Sequence, residues 1–207
     1  MDRLQDCLAV QAQLRPDAGA AVFREQRMCY GELERTSNRI ACALQAVGRL
    51  RGDRIALLLT KSPKTLATMF GGRKADGIYV PVDPASPPSR ISQILSHCGC
   101  RCIVADRSTA SKLNELMLNG SIPLSTRILW LDQCVDLPTG IRAMFCWDHL
   151  AALSDRRVES RKVHRMQNIR ELWLPMRRLG LALLRCVAAA VSALDATVWS
   201  RVPLGPR

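Results

Sequence analysis

Residues 74–95 read KADGIYVPVDPASPPSRISQIL, and the fold turns on why so many prolines surround one short apolar run. Proline cannot donate to a sheet ladder, so Pro81 is expected to end a strand formed by residues 78–80, IYV. The following VDP takes the chain out of the sheet in a fixed direction. Pro84, Pro87 and Pro88 then restrict φ through the crossover, and a cap-like start over residues 86–89 opens a helix at Ser89. The segment is a strand, a stiff exit and a helix start. Its rigidity is structural: no side chain in it is arranged as a nucleophile, a base or a phosphate cradle.

Upstream, AAVF (20–23) and RMCY (27–30), separated by REQ, predict a short hairpin. From Gly31 the period changes. Leu33, Ser37, Ile40, Leu44 and Val47 fall on one helical stripe, and Gly48 supplies its stop. RIALLL (54–59) is a short apolar run suited to a strand covered on both faces. Ser62-Pro63 reads as a helix start, an N-cap hydroxyl followed by proline at the first helical position, with the helix reaching about Ala75. Downstream, Ile91, Ile94, Leu95 and Cys98 share one helix face that Gly99 closes. CIVA (102–105) predicts a strand, STASKLNELMLNG (108–120) a helix with a glycine stop, and RILWL (127–131) another strand. Strands alternating with helices of this length predict an α/β fold with a largely parallel sheet.

After Leu131 the pattern is expected to fade. Residues 155–178 show no clean stripe, and residues 179–199 are mostly apolar but interrupted by Arg185 and Asp195. A charge at mid-bilayer is costly, so the expectation there is an amphipathic helix or a poorly ordered tail rather than a membrane span.

The 207 residues are 48% apolar but only 4% aromatic, which implies an aliphatic core. The net charge of +12 is unevenly placed: residues 151–207 hold 11 basic and 4 acidic side chains. Of the 30 basic residues 25 are arginine, and no nucleic-acid motif accompanies them, so contact with nucleic acid or an anionic membrane is not the favoured reading. The nine cysteines are odd in number and scattered, and the first residues carry charges at positions 2, 3 and 6 in place of an apolar leader. A cytoplasmic chain with free thiols is expected. His97, Cys98, Cys100 and Cys102 crowd together in HCGCRC, but no second Cys pair at zinc-ligand spacing follows. Cys100 and Cys102 are expected to face one side of a strand as small apolar groups, and no metal site is assigned. His97, His149 and His164 have no serine elbow near them, and Trp147-Asp148-His149 is expected to lie at the edge of the core.

The proline-rich stretch resembles the signature Lys-Ala-Gly-x-x-Tyr-Val-Pro-Leu/Ile-Asp-Pro-x-x-Pro-x-x-Arg-Ile of adenylate-forming enzymes. That superfamily holds acyl-CoA synthetases, adenylation domains of nonribosomal peptide synthetases, and luciferase. MCYGELERTSNRIACAL resembles its early Leu-Thr-Tyr-x-Glu-Leu motif, while RPDAGAAVF, GDRIALLLTKSP and CGCRCIVAD match the flanking pattern. The likeness runs over residues 9–131 and is closest to AMP-forming acyl-CoA ligases, with amino-acid adenylating domains next; residues 132–207 form an unassigned basic tail. The resemblance implies a partial N-terminal subdomain of a larger fold.

It also implies a reaction that activates a carboxylate with ATP and magnesium and passes the acyl group to CoA or a carrier-protein thiol. Complete members use a Ser/Thr-Gly-rich loop ending in Pro-Lys-Gly, an Asp in Thr-Gly-Asp, and a C-terminal lysine. None of these stands in the 207 residues: PTG (138–140) is the nearest fragment of the loop, and Lys162 is the only lysine late in the chain. No catalytic, cofactor-binding or metal residue is therefore assigned, and no cofactor is expected for this chain alone. Three readings follow: a remnant inactive alone, with sequence from about residue 154 having no selected fold; half of a split ligase that needs a complementary fragment; or a basic binding module. Self-association through an exposed sheet edge is expected of the first. Inside the matched region three departures stand out, namely Asp76 where the family has glycine, Arg73 facing a core, and Gly71-Gly72 within a helix, which costs roughly 1 kcal/mol per residue against alanine. Gly77 is expected to supply the left-handed helix stop.

Overall fold

The computed structural model describes residues 4–48, 51–123, 125–137, 141 and 143–155. The residues that read as tail beyond 155, including the apolar run 179–199 and the arginine-rich stretch, lie outside them. The element order is α1 (Leu4–Leu14), β1 (Gly19–Phe23), β2 (Gln26–Cys29), α2 (Tyr30–Ala46), β3 (Arg54–Leu58), α3 (Pro63–Lys74), β4 (Ile78–Val82), α4 (Pro88–Cys98), β5 (Cys102–Ala105), α5 (Ala110–Leu118), β6 (Arg127–Trp130) and α6 (Trp147–Ala152). β1 and β2 form the antiparallel hairpin, turning through Arg24 at φ 54°. The other four strands make one parallel sheet in the order β4-β3-β5-β6. The α/β reading holds.

Alternation along the strands builds a layer on each face. Ile55 and Leu57 of β3, Val104 of β5 and Leu129 of β6 pack with Leu33, Ile40 and Leu44 of α2 and with Ala67 and Phe70 of α3. Ala56 and Leu58 of β3, Ile103, Ile128 and Trp130 pack on the other face with Ile91 and Leu95 of α4 and Leu113 and Leu116 of α5. The helical stripe read from Leu33 to Val47 is buried throughout. Fully burying each such aliphatic side chain is worth roughly 1.5–3 kcal/mol, so the two layers suffice to fix the sheet between them.

Several expectations are corrected by this arrangement. Pro81 does not end its strand: β4 continues to Val82, with Pro81 in register with Leu57. β4 is an edge strand, where a missing N–H breaks no ladder bond on the open side. α4 starts at Pro88, not Ser89, and its N-cap is Pro87 with no side-chain cap. The turn before it is instead shaped by Asp83, whose Oδ1 accepts from the Ala85 amide at 3.0 Å and whose carbonyl accepts from the Ser86 amide.

Gly77 is not the left-handed stop of α3. Asp76 takes that conformation at φ 59°, and the amides of Asp76 and Gly77 donate back to the carbonyls of Arg73 and Gly72. Gly99 and Gly120 end α4 and α5 by the same pair of bonds, so an aspartate, tolerant of this region through its short polar side chain, replaces glycine at one of three equivalent stops. Cys100 and Cys102 do not share a side. Cys100 precedes β5 and packs against the α4–α5 layer, whereas Cys102 lies in the α2–α3 layer. The turn after Gly99 changes the chain's direction before the strand begins.

Order also extends past Leu131. Residues 144–147 run along the outer side of β6: the Met144 amide donates to Ile128 O and the Trp130 amide to Phe145 O, each at 2.9 Å, and the Trp147 amide donates to Asp132 O. Leu150 of α6 then enters the α2–α3 layer. Trp147 packs at the margin of that layer, as the core-edge reading expects.

Candidate functional site

Two clusters of polar side chains are open to a functional reading, one between α2 and α3 and one at the carboxyl end of the sheet. The first contains the lysine of the signature. Lys74 is 2% exposed, and its Nζ lies 2.6 Å from Glu34 Oε2, 2.7 Å from Ser37 Oγ and 2.8 Å from Asn38 Oδ1. Arg73, expected to be the buried cation, is only half-buried. The helical phase places Lys74 against α2, where the polar face of Glu34, Ser37 and Asn38 meets it. A buried ammonium is tolerable only when paired and hydrogen-bonded, and all three partners come from α2. Gly71, on the same side of α3, completes the contact. A Cβ there would lie 2.7 Å from Ile40 Cγ2 and 3.0 Å from Ser37 O, so the glycine lets two backbones approach and is not a slackened helix position. With no opening to solvent at Lys74, this cluster is a staple between helices.

The second cluster lies where ligands bind in open α/β sheets, at the point where strand order reverses. After β3 the chain crosses to α3 on one face; after β5 it crosses to α5 on the other. The crevice between those two exits is closed by hydroxyl contacts. Thr60 Oγ1 and Ser108 Oγ are 3.0 Å apart, and Thr109 Oγ1 donates to Leu58 O at 2.9 Å. Three of the amides at this end are taken up by side chains: Thr65 N donates to Ser62 Oγ, Asp106 N to Thr109 Oγ1, and Arg107 N to Asp132 Oδ2. Asp83, Asp106 and Asp132 all stand at this end of the strands.

Two of the cations nearby are paired as well. Lys64 Nζ lies 3.1 Å from Asp132 Oδ1 and 4.7 Å from the centre of the Trp147 ring, and Arg107 Nη1 lies 3.4 Å from Asp136 Oδ1. Burial raises the Asp132 pKa, but the Arg107 amide together with the hydrogen bond and charge of Lys64 outweighs it and holds the carboxyl below its usual 3.8. The group is an ionised carboxylate whose charge is met by Lys64. No glycine stands in the described segments that leave the strands at this end, so none of them is the glycine-rich kind of loop that cradles a triphosphate.

The profile of the AMP-binding enzyme family matches residues 8–139. The chain belongs to the family of AMP-binding enzymes. This family member is 36% identical over 122 residues to N-(5-amino-5-carboxypentanoyl)-L-cysteinyl-D-valine synthase of Amycolatopsis lactamdurans, an alignment covering 58% of the chain and 3% of that protein. It is 30% identical over 115 residues, 56% of the chain, to gramicidin S synthase 2 of Brevibacillus brevis, again 3% of the relative. In structure it is similar to an anthranilate CoA ligase in complex with anthranoyl-AMP, with a TM-score of 0.65 and 19% identity over 78% of this chain and 30% of that one. It is likewise similar to the N-terminal domain of FACL13 from Mycobacterium tuberculosis, with a TM-score of 0.63 and 22% identity over 77% and 38% of the two chains. The two structural likenesses bear on the fold. They place this AMP-binding family member as part of an N-terminal region, about a third of the solved chains.

The histidines named from sequence are not brought together. His97 is exposed on α4, His149 is exposed on α6 with its ring edge-on to Phe145, and His164 lies outside the described residues. Every described cysteine is a free thiol. Burial, then the neighbouring Cys98, pushes the Cys100 thiol up to about 12, so it packs as a neutral group. Among the described residues no helix is long and apolar enough to cross a membrane. Sequence reasoning misses the Lys74 staple because phase alone cannot tell which of two adjacent cations turns inward. The polar run at Glu34, Ser37 and Asn38 on an otherwise apolar stripe is the available signal.

Proposed function

We propose that this chain supplies the first sheet of an adenylate-forming ligase as a scaffold and does not activate a carboxylate by itself. The observation that carries this reading is the carboxyl end of the parallel sheet, where the described exits from the strands hold no glycine and side chains of Ser62, Thr109 and Asp132 occupy three of the amides. ATP, magnesium and the thiol acceptor would be held by parts of the ligase other than residues 4–155. The sequence relatives are named for peptide products, which favours an amino-acid activating parent over the acyl-CoA ligase that the TKSP and DPASPP variants suggest. The free thiols support a reducing, cytoplasmic setting.

The test is ATP–pyrophosphate exchange with a panel of amino and fatty acids. The chain alone is expected to give none; exchange by the chain alone would overturn the reading. Exchange that appears only when a fragment carrying the glycine-rich loop and lysine is added selects the split-ligase form of it. Self-association belongs to the same proposal. The strip at residues 144–147 covers β6, so β4 is the open edge, although Pro81 interrupts its donors. Sedimentation above the monomer mass supports that edge as a contact, and a monodisperse monomer refutes it.

A further inference from the structure

One group of metal-ligating side chains lies outside both clusters and is not visible as a sequence motif. Cys134, Cys146 and His149 each offer a ligand atom, and these atoms all lie within 4.8 Å of one another. They come from three places that the sheet brings together. Cys134 opens a 3₁₀ turn after β6 (Cys134–Asp136), Cys146 ends the strip that pairs with β6, and His149 sits in α6. Cys146 is buried, Cys134 half-buried and His149 exposed, so the group runs from the core margin to solvent and has a path of entry.

The chemistry and geometry both suit a thiophilic cation. Two sulfurs and an imidazole select zinc-like ions over magnesium or calcium, which prefer oxygen. Ligand atoms around tetrahedral zinc sit roughly 3.4–3.8 Å apart for metal–ligand bonds of about 2.0–2.3 Å, so at most about 1.4 Å of closure is needed. Rotation of the exposed His149 side chain supplies it. His149 Nδ1 now accepts from the Cys146 amide at 3.3 Å, which holds the imidazole beside the sulfurs; its lone pair is engaged there, so that bond is given up when Nδ1 turns to a cation, or Nε2 ligates instead. Asp148 Oδ2 accepts from the Cys134 amide at 3.3 Å and so steadies the turn that carries this thiol, leaving the fourth position of a tetrahedral ion to water.

We infer that Cys134, Cys146 and His149 form a structural site for one zinc-type divalent cation, cross-linking the 3₁₀ turn and α6 to the strip beside β6. Each thiol gives its proton to solvent as its sulfur–metal bond forms, and no redox change is involved. The cation closes the loop between residues 134 and 146 and fixes α6, which ties metal binding to the order of that margin. The inference stands on residues 134–149 alone and is independent of the ligase reading.

The experiment is a titration of the full reduced chain with cobalt(II), read by thiolate-to-cobalt charge transfer and tetrahedral ligand-field bands, with zinc added last as competitor. Saturation at one equivalent, with bands abolished by zinc, is expected. C134S and H149Q are expected to weaken binding at least about tenfold, while a C98S/C100S double variant binds as the parent does. H149Q changes an exposed side chain, so it reports on the site even if C134S misfolds, which circular dichroism checks. Absence of the bands would overturn the inference, and so would bands that survive H149Q and C134S or vanish in the C98S/C100S variant.

Discussion

The α2–α3 seam and the carboxyl end of the sheet are both polar, yet they spend their polar groups differently. In the seam a single buried ammonium satisfies three partners on one helix, and a glycine lets the helices close around it. At the sheet end, hydroxyls, amides and carboxylates satisfy one another across a crevice that stays near the surface. The seam holds Lys74, the lysine that opens the family-like signature. The crevice holds the place where an α/β sheet would bind a ligand. The signature lysine in this chain therefore serves packing, and the position suited to a ligand holds paired acids and bases without a glycine-rich loop.

The largest effect is expected at the seam. Lys74→Ala leaves Glu34, 15% exposed, without its cation, and loss of one partner of a buried pair costs about 3–5 kcal/mol. Denaturant unfolding of the variant measures it; a loss under about 1 kcal/mol would show that the seam is no staple. Gly71→Ala comes next, at about 1–3 kcal/mol, because a methyl 2.7 Å from Ile40 Cγ2 overpacks the contact. A gain in stability, as helix propensity alone predicts, would contradict the close approach.

The crevice should respond less. Asp132→Asn is expected to cost about 1 kcal/mol near neutral pH, since Lys64 is 41% exposed and its pairing is screened. The folded Asp132 carboxyl titrates below 3.8, so its contribution is full above that value and fades as pH falls through the lowered one. The stability gap between parent and variant should accordingly close in acid. A gap that widens in acid would mean the carboxylate is destabilising in the native state.

The alternation of strands and helices is legible in the sequence because each element carries its own period and its own stop. Ser62 capping the Thr65 amide and Gly99 in the left-handed region are both visible as residue types. Less legible is anything decided by neighbours in space. Pro81 lies inside a strand because β4 is an edge, which depends on strand order. The inward turn of Lys74 in place of Arg73 depends on which helix α3 meets. Residues 144–153 lack a period because they are held by single bonds to β6 and by Leu150, so the order beyond Leu131 leaves no pattern to read. The same reason hides Cys134, Cys146 and His149, whose spacing in sequence looks accidental until β6 aligns the turn with the strip. The lack of a glycine-rich phosphate loop in these 207 residues, by contrast, is readable from the glycines alone.

The central claim is that the chain has the scaffold of an adenylate-forming enzyme without a grip on the triphosphate. Isothermal titration of the 207-residue chain with magnesium–ATP tests it most directly. No saturable heat is predicted up to millimolar nucleotide; a single-site isotherm with a micromolar Kd would contradict the claim.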